Sequence, residues 1–229
     1  MKLIINHKKL ILLLIIIISV VLISKINKNN NISYTSLGDG YAKGIDSYGE
    51  TNGYNKYVKQ HLKKNNKLNN YNSFSDKDMS INNLYTNILI NKNNIKSTLR
   101  ESEIVTLSIG LNDLRYKLSI TNNINDYKLN KIINDINIDL NRLLIEISKY
   151  HKDKIYTIGY YYRDNNDIYL VKGIRRLNKL YKNNNNIVYI YNKKIQKHDK
   201  KYLVNPNNMY LNDEGYRLLG LKILKRLEK

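Results

Sequence analysis

The chain has 229 residues, a formal net charge of +20 and no cysteine. That length suits one membrane segment plus one domain of ordinary size. The absence of cysteine excludes a disulfide framework, a thiolate nucleophile, a lipidated cysteine and a thiolate metal site.

Residues 1–9 form a short basic N-terminus carrying Lys2, Lys8 and Lys9. Residues 10–24, Leu10 to Ser24, are an uncharged run of mostly Ile, Leu and Val. Fifteen helical residues span about 22 Å, short of a hydrocarbon core of ~30 Å, but Leu3–Asn6 and the stems of Lys9 and Lys25 can extend the run. A secretory signal core would be as short. No Ala-x-Ala-like cleavage site follows, since Ala42 is the sole alanine, so the expectation is an uncleaved transmembrane signal anchor with the domain outside. Residues 25–31 read as a polar linker and 32–229 as a single folded domain.

Within that domain Ile32–Leu37 reads as the first strand and Tyr54–Leu62 as an amphipathic helix. Lys63–Asn70 reads as a solvated turn and Tyr71–Phe74 as a short second strand. Asp78–Asn91 is helical by its spacing of Ile81, Leu84, Tyr85, Ile88 and Leu89. Glu103–Ile109 has the β-branched content of a buried strand. Asp126–His151 is the clearest helix, with one stripe from Leu129 to Ile147. Lys154–Tyr162 reads as a strand, Asp167–Tyr181 as a helix and Ile187–Tyr191 as a further strand. Asn212 is the expected N-cap of a last helix, with Asp213 and Glu214 in its first turn where the helix dipole favours acids. Alternating strands and helices imply a parallel sheet covered on both faces.

Charge adds little specificity. Lysines outnumber arginines 31 to 8, whereas planar recognition of phosphate or bases favours arginine. Abundant Asn, Lys, Ile and Tyr beside one Ala, one Pro and no Trp is the mark of AT-rich coding drift. No run interleaves clustered arginine with aromatics, so nucleic acid is not an expected partner. Attraction to anionic lipid or wall polymer fits the charge better.

Five of the ten glycines lie between Gly38 and Gly53, directly after the first strand. A strand running into such a turn and then a helix is how α/β sheets build sites at their carboxyl edge. The stretch Ser36-Leu37-Gly38-Asp39-Gly40 resembles the first motif of the SGNH (GDSL-type) hydrolases, which read Gly-Asp-Ser with the serine as nucleophile. Here Gly40 stands where the serine belongs. The order of later motifs extends the resemblance over about 190 residues, from the first strand to the last helix. It implies a flavodoxin-like three-layer α/β/α sandwich with about five parallel strands, preceded here by the N-terminal transmembrane helix. It further implies carboxylic-ester hydrolysis with no metal or cofactor.

The remaining motifs are uneven. The counterpart of the family's second motif, Asn72 to Asp78, lacks its glycine. Gly110-Leu111-Asn112-Asp113 matches Gly-x-Asn-Asp after a buried strand, and the resemblance assigns the Asn112 amide to an oxyanion. The bland reading is that Asn112 and Asp113 cap a loop. The family's Asp-x-x-His has Asn207 and Tyr210 at its two positions. A phenol of pKa ~10 is a poor general base, and an amide cannot stabilise an imidazolium. His198 lies among lysines and reads as a solvated loop residue, while His61 and His151 read as surface residues on helices.

Loss of the serine alone costs on the order of 10⁶ in turnover in such enzymes. Nucleophile, base and orienting acid are all altered here, and no residue can be named as catalytic. The expectation is a domain without the serine mechanism that binds a glycan, an acylated glycan or polymer, or a protein in the old cleft. One alternative is an active ester hydrolase or acyl-transfer enzyme with a nucleophile taken from Ser36, Ser47, Ser73 or Ser75. Another is a lysine-rich surface protein held to anionic envelope polymers.

Overall fold

The computed structural model describes residues 12–19, 32–163, 167–205 and 208–228. Its sheet contains β1 (Ile32–Gly38), β2 (Leu68–Ser75), β3 (Ile104–Ser108), β4 (Ile155–Ile158) and β5 (Ile187–Ile190). The helices are α1 (Gly40–Lys43), α2 (Tyr54–Lys64), α3 (Ile81–Leu89), α4 (Ile95–Glu101), α5 (Leu111–Ser119), α6 (Asp126–Ser148), α7 (Ile168–Asn183), α8 (Lys193–Lys197), α9 (Asp199–Tyr202) and α10 (Asp213–Leu227).

All pairings are parallel and the strand order is β2-β1-β3-β4-β5. The chain steps outward from β1 to β2, then returns past β1 to β3 and continues the other way. Right-handed crossovers therefore place α2 on one face and the later crossover helices on the other. The packing follows that rule. α2 lies against α10, while α3, α5, α6 and α7 pack with one another on the opposite side. The reversal of direction at β1 leaves a crevice beyond the carboxyl ends of β1 and β3, where open α/β sheets place ligands.

β1 and β3 are central and buried almost throughout, their hydroxyl residues Ser33, Thr35, Ser36, Thr106 and Ser108 included. α6 buries the whole stripe Leu129, Ile132, Ile133, Ile136, Leu140, Leu143, Leu144 and Ile147. A buried leucine such as Leu140, cut to alanine, costs about 2–5 kcal/mol in cores of this kind. α10 starts at the Asn212 cap, whose side chain accepts from the Gly215 N–H.

Several boundaries differ from the sequence expectation. Lys63–Asn70 is not a solvated turn: α2 runs to Lys64 and β2 begins at Leu68, paired with Ile32. β2 is an edge strand and half exposed, so its apolar alternation is faint. The strand expected over Lys154–Tyr162 stops at Ile158, after which Tyr160 and Tyr161 leave the ladder and become fully buried. α4 and α5 were not expected, because each buries only two residues, too few to show a period. His151 is not a surface residue: α6 ends at Ser148 and the imidazole turns inward, 3% exposed, where burial holds its pKa below the usual value.

Residues 12–19 are helical, with Leu12 to Ile18 half exposed or more. The rest of the expected 10–24 anchor, the 1–9 terminus and the 25–31 linker lie outside the described residues. Among the described residues no helix is long and apolar enough to cross a membrane.

Candidate active site

The glycine turn after β1 is forced by its neighbour strand. Gly38 has φ +120°, and a Cβ there would stand 1.8 Å from the Ser108 carbonyl oxygen of β3. The next N–H, of Asp39, donates to that same carbonyl at 2.8 Å. Asp39 then caps α1, its Oδ1 accepting from the Tyr41 N–H at 3.1 Å. Its carboxylate also accepts from Ser108 Oγ at 2.7 Å and from the Tyr160 hydroxyl. Asp39 is 2% exposed, and burial pushes its pKa up to about 7 despite these three donors.

Gly40 follows, and the ring of Tyr210 lies against it. A Cβ on Gly40 would stand 2.4 Å from Tyr210 Oη and 2.5 Å from Cε1. The tail is held in that place by the loop after α1. Ser47 donates from Oγ to the Tyr210 carbonyl at 2.5 Å and from its N–H to the Leu211 carbonyl at 3.0 Å. Tyr41 donates to the Met209 carbonyl at 2.7 Å, and its ring sits 6.1 Å from that of Tyr210. Burial, and then the Asp39 carboxylate, raise the Tyr210 pKa above its ordinary value, so this phenol keeps its proton. Asn207 lies outside the described residues.

Gly110 is the N-cap of α5, so Asn112 and Asp113 occupy its first turn. The Asn112 Nδ2 donates to the Lys77 carbonyl at 2.8 Å and to the Met79 carbonyl at 3.1 Å. Both amide hydrogens are thereby directed at the loop between β2 and α3. Asp113 accepts from the Ile81 N–H through both oxygens, at 3.2 and 3.1 Å. Its pKa is raised by burial and held down in part by that N–H. The pair thus ties the end of β2 to the start of α5.

Gly38, Asp39, Gly40, Tyr210, Gly110, Asn112 and Asp113 all gather beyond the carboxyl ends of β1 and β3. No family model matches this chain, and no curated protein matches it in sequence. Solved structures do match. The lipase Lip_vut3 from a goat rumen metagenome superposes with a TM-score of 0.70 at 17% identity, over 85% of this chain and 96% of its own. An acetylxylan esterase of Geobacillus stearothermophilus, as a catalytic mutant, gives 0.61 at 15% identity, over 86% and 94%. A lipase/acylhydrolase of Enterococcus faecalis gives 0.59 at 15% identity, over 86% and 95%. The chain has the SGNH hydrolase fold.

Within this SGNH fold the alternative nucleophiles are all placed. Ser36 Oγ is fully buried and faces the Ala42 carbonyl and the Tyr54 hydroxyl, at 3.3 and 3.4 Å. Ser47 is spent on the Tyr210 carbonyl, and Ser73 and Ser75 bond each other at 2.6 Å on the β2 edge. His198 is exposed at the junction of α8 and α9. Among the described residues no three His, Asp or Glu side chains gather as metal ligands would.

The sequence reading missed Ser108 and Tyr160, the two hydroxyl donors to Asp39. Both carried a signal. Ser108 ends β3 opposite Gly38, and Tyr160 follows a glycine at the end of β4. Tyr160 belongs to an aromatic group below the site, with Tyr41 at 5.2 Å and, through Tyr41, Tyr216 at 5.5 Å, both edge to face. This cluster packs rings against Asp39 and Tyr210.

Proposed function

We propose that this is a membrane-anchored, extracytoplasmic protein of the SGNH fold that no longer runs the serine-esterase reaction. It holds a glycan, an acylated glycan or a protein in the former cleft. One observation carries the reading: the Tyr210 ring occupies the space that a nucleophile's Cβ on Gly40 would need. Two others support it. The Asn112 amide, the expected oxyanion donor, is engaged with two backbone carbonyls. Burial, and then the Asp39 carboxylate, disfavour ionisation of the Tyr210 phenol, so at neutral pH it keeps its proton and is not available as a base. The anchor rests on the uncharged run Leu10 to Ser24, flanked by lysines.

A hydrolase with a moved nucleophile finds one supporting contact, the 2.7 Å bond between Ser108 Oγ and Asp39. Ser108 is fully buried, so this route needs the β1 and β3 loops to part. The deciding experiment takes the full-length protein in detergent, with short-chain aryl esters and a fluorophosphonate probe. The expected result is turnover at the buffer rate and no labelled side chain. Turnover abolished by Ser108→Ala, or an adduct on any cleft residue, overturns the proposal. Membrane fractions washed with alkaline carbonate test the anchor, which should hold the chain in the pellet.

A further inference from the structure

α7 carries two sets of cations with different surroundings. Lys172 and Arg176 pair with Asp126, at 2.9 and 2.6 Å. Arg175, Lys179 and Lys182 are exposed and have no carboxylate within ion-pair distance among the described residues. Their spacing of four and three residues puts them on one helical face, where like charges repel. That face lines a cavity of about 690 Å³ between α7 and the edge strand β5, with Lys193 on the far side. Among the described residues no acid lines it; the rest of the wall is tyrosine and asparagine. Uncompensated repulsion around an open cleft is the electrostatic form of an anion site.

The step between these cations suits a chain of charges. A rise of 1.5 Å per residue separates them along the axis by roughly 6 and 4.5 Å, the scale of neighbouring phosphates in an extended phosphodiester chain. The aromatic wall narrows the choice of polymer. Tyr191 stacks on Tyr161 at 4.9 Å and 15°, and on Tyr189 at 5.8 Å and 13°. The ring faces are therefore turned on one another and not offered to bases, which single-strand nucleic-acid sites require. Tyr162 Oη accepts from Arg175 Nε at 2.7 Å, which fixes that guanidinium at the rim. Lysine supplies the other three charges, as point cations without the planar fork of base or bidentate recognition.

We propose that the α7–β5 cleft binds a phosphodiester polymer whose repeat is a polyol or sugar, independently of the cleft at Gly40. The site is local, distinct from a diffuse effect of the chain's 39 lysines and arginines.

The test measures binding of a short oligo(glycerol phosphate) to the full-length protein at several salt concentrations. The triple variant Arg175→Gln, Lys179→Gln, Lys182→Gln is compared with a control that loses the same charge elsewhere, Lys200→Gln, Lys222→Gln, Lys225→Gln. The cleft variant should bind about tenfold more weakly or worse, with the slope of log affinity against log salt smaller by about 2–3. The control should change affinity less than about twofold. Circular dichroism of both variants checks that each is folded. Equal weakening by the two triples overturns the proposal in favour of diffuse attraction. Tighter binding of an oligouridylate with the same number of phosphates overturns it in favour of nucleic acid.

Discussion

The hydroxyl of Tyr210 lies 2.4 Å from where a side-chain carbon on Gly40 would stand. Two residues 170 positions apart in sequence therefore share one volume: a side chain at 40 and this ring at 210 cannot both keep their places. Gly40→Ser should cost about 1–3 kcal/mol through overpacking. In a Tyr210→His background the same change should cost markedly less, with a coupling of about 0.5–3 kcal/mol in a double-mutant cycle. Urea unfolding of the four proteins measures it. An equal penalty in both backgrounds would show that the ring moves aside freely.

Gly38 is constrained more severely. Its added Cβ meets backbone and not a flexible side chain, 1.8 Å from the Ser108 carbonyl oxygen, at φ +120°. Gly38→Ala must part β1 from β3 at the site, and a loss beyond about 4 kcal/mol is expected. The measurement is the melting temperature of the purified variant. A melt within a degree or two of the parent contradicts the geometry.

Asn112 tests the meaning of the third motif. If its amide serves the loop, Asn112→Ala removes two hydrogen bonds and costs about 1–2 kcal/mol. Amide exchange should then quicken between Lys77 and Ile81 while the aryl-ester rate stays at background. Unchanged exchange in that loop, with a fall in ester turnover, would assign the amide to catalysis.

Asp39 should make stability fall with rising pH. The unfolded chain releases this proton near the ordinary 3.8, whereas the folded chain holds it up to about 7. Folding therefore takes up a proton across that window, so the contribution is most favourable below it, declines through it and is constant above. The full decline is about 4 kcal/mol, of which about 2–3 falls between pH 5 and 8. Asp39→Asn keeps a capping oxygen and has no proton to release. It should gain that amount relative to the parent on going from pH 5 to pH 8, by denaturant unfolding. A difference independent of pH would place the Asp39 titration elsewhere.

Local pattern was enough for much of the architecture. Apolar stripes at helical spacing located α2, α6, α7 and α10, since burying one face is a property each helix carries in its own residues. The runs around β1 and β3 announced buried parallel strands for the same reason. Gly38-Asp39-Gly40, Asn112 and Tyr210 could be picked out by motif order, which says where the chain turns. β2 was blurred because an edge strand buries too little to impose a period.

Local pattern and motif order, then, were enough for a parallel α/β/α sandwich and for singling out Gly40 and Tyr210, which stand where the family that the chain resembles places its nucleophile and base. Only the tertiary structure decided what those residues do to one another. Tyr210 meets Gly40 because Ser47 and Tyr41 pin a tail from the far end of the chain. Asn112 faces Lys77 and Met79 because α5 begins beside that loop. Asp39 holds its proton up to about 7 because the fold buries it, in spite of the Ser108 and Tyr160 hydroxyls that donate to it. Periodicity encodes which face of an element is buried, whereas side-chain direction across loops depends on partners that sequence spacing does not bring together.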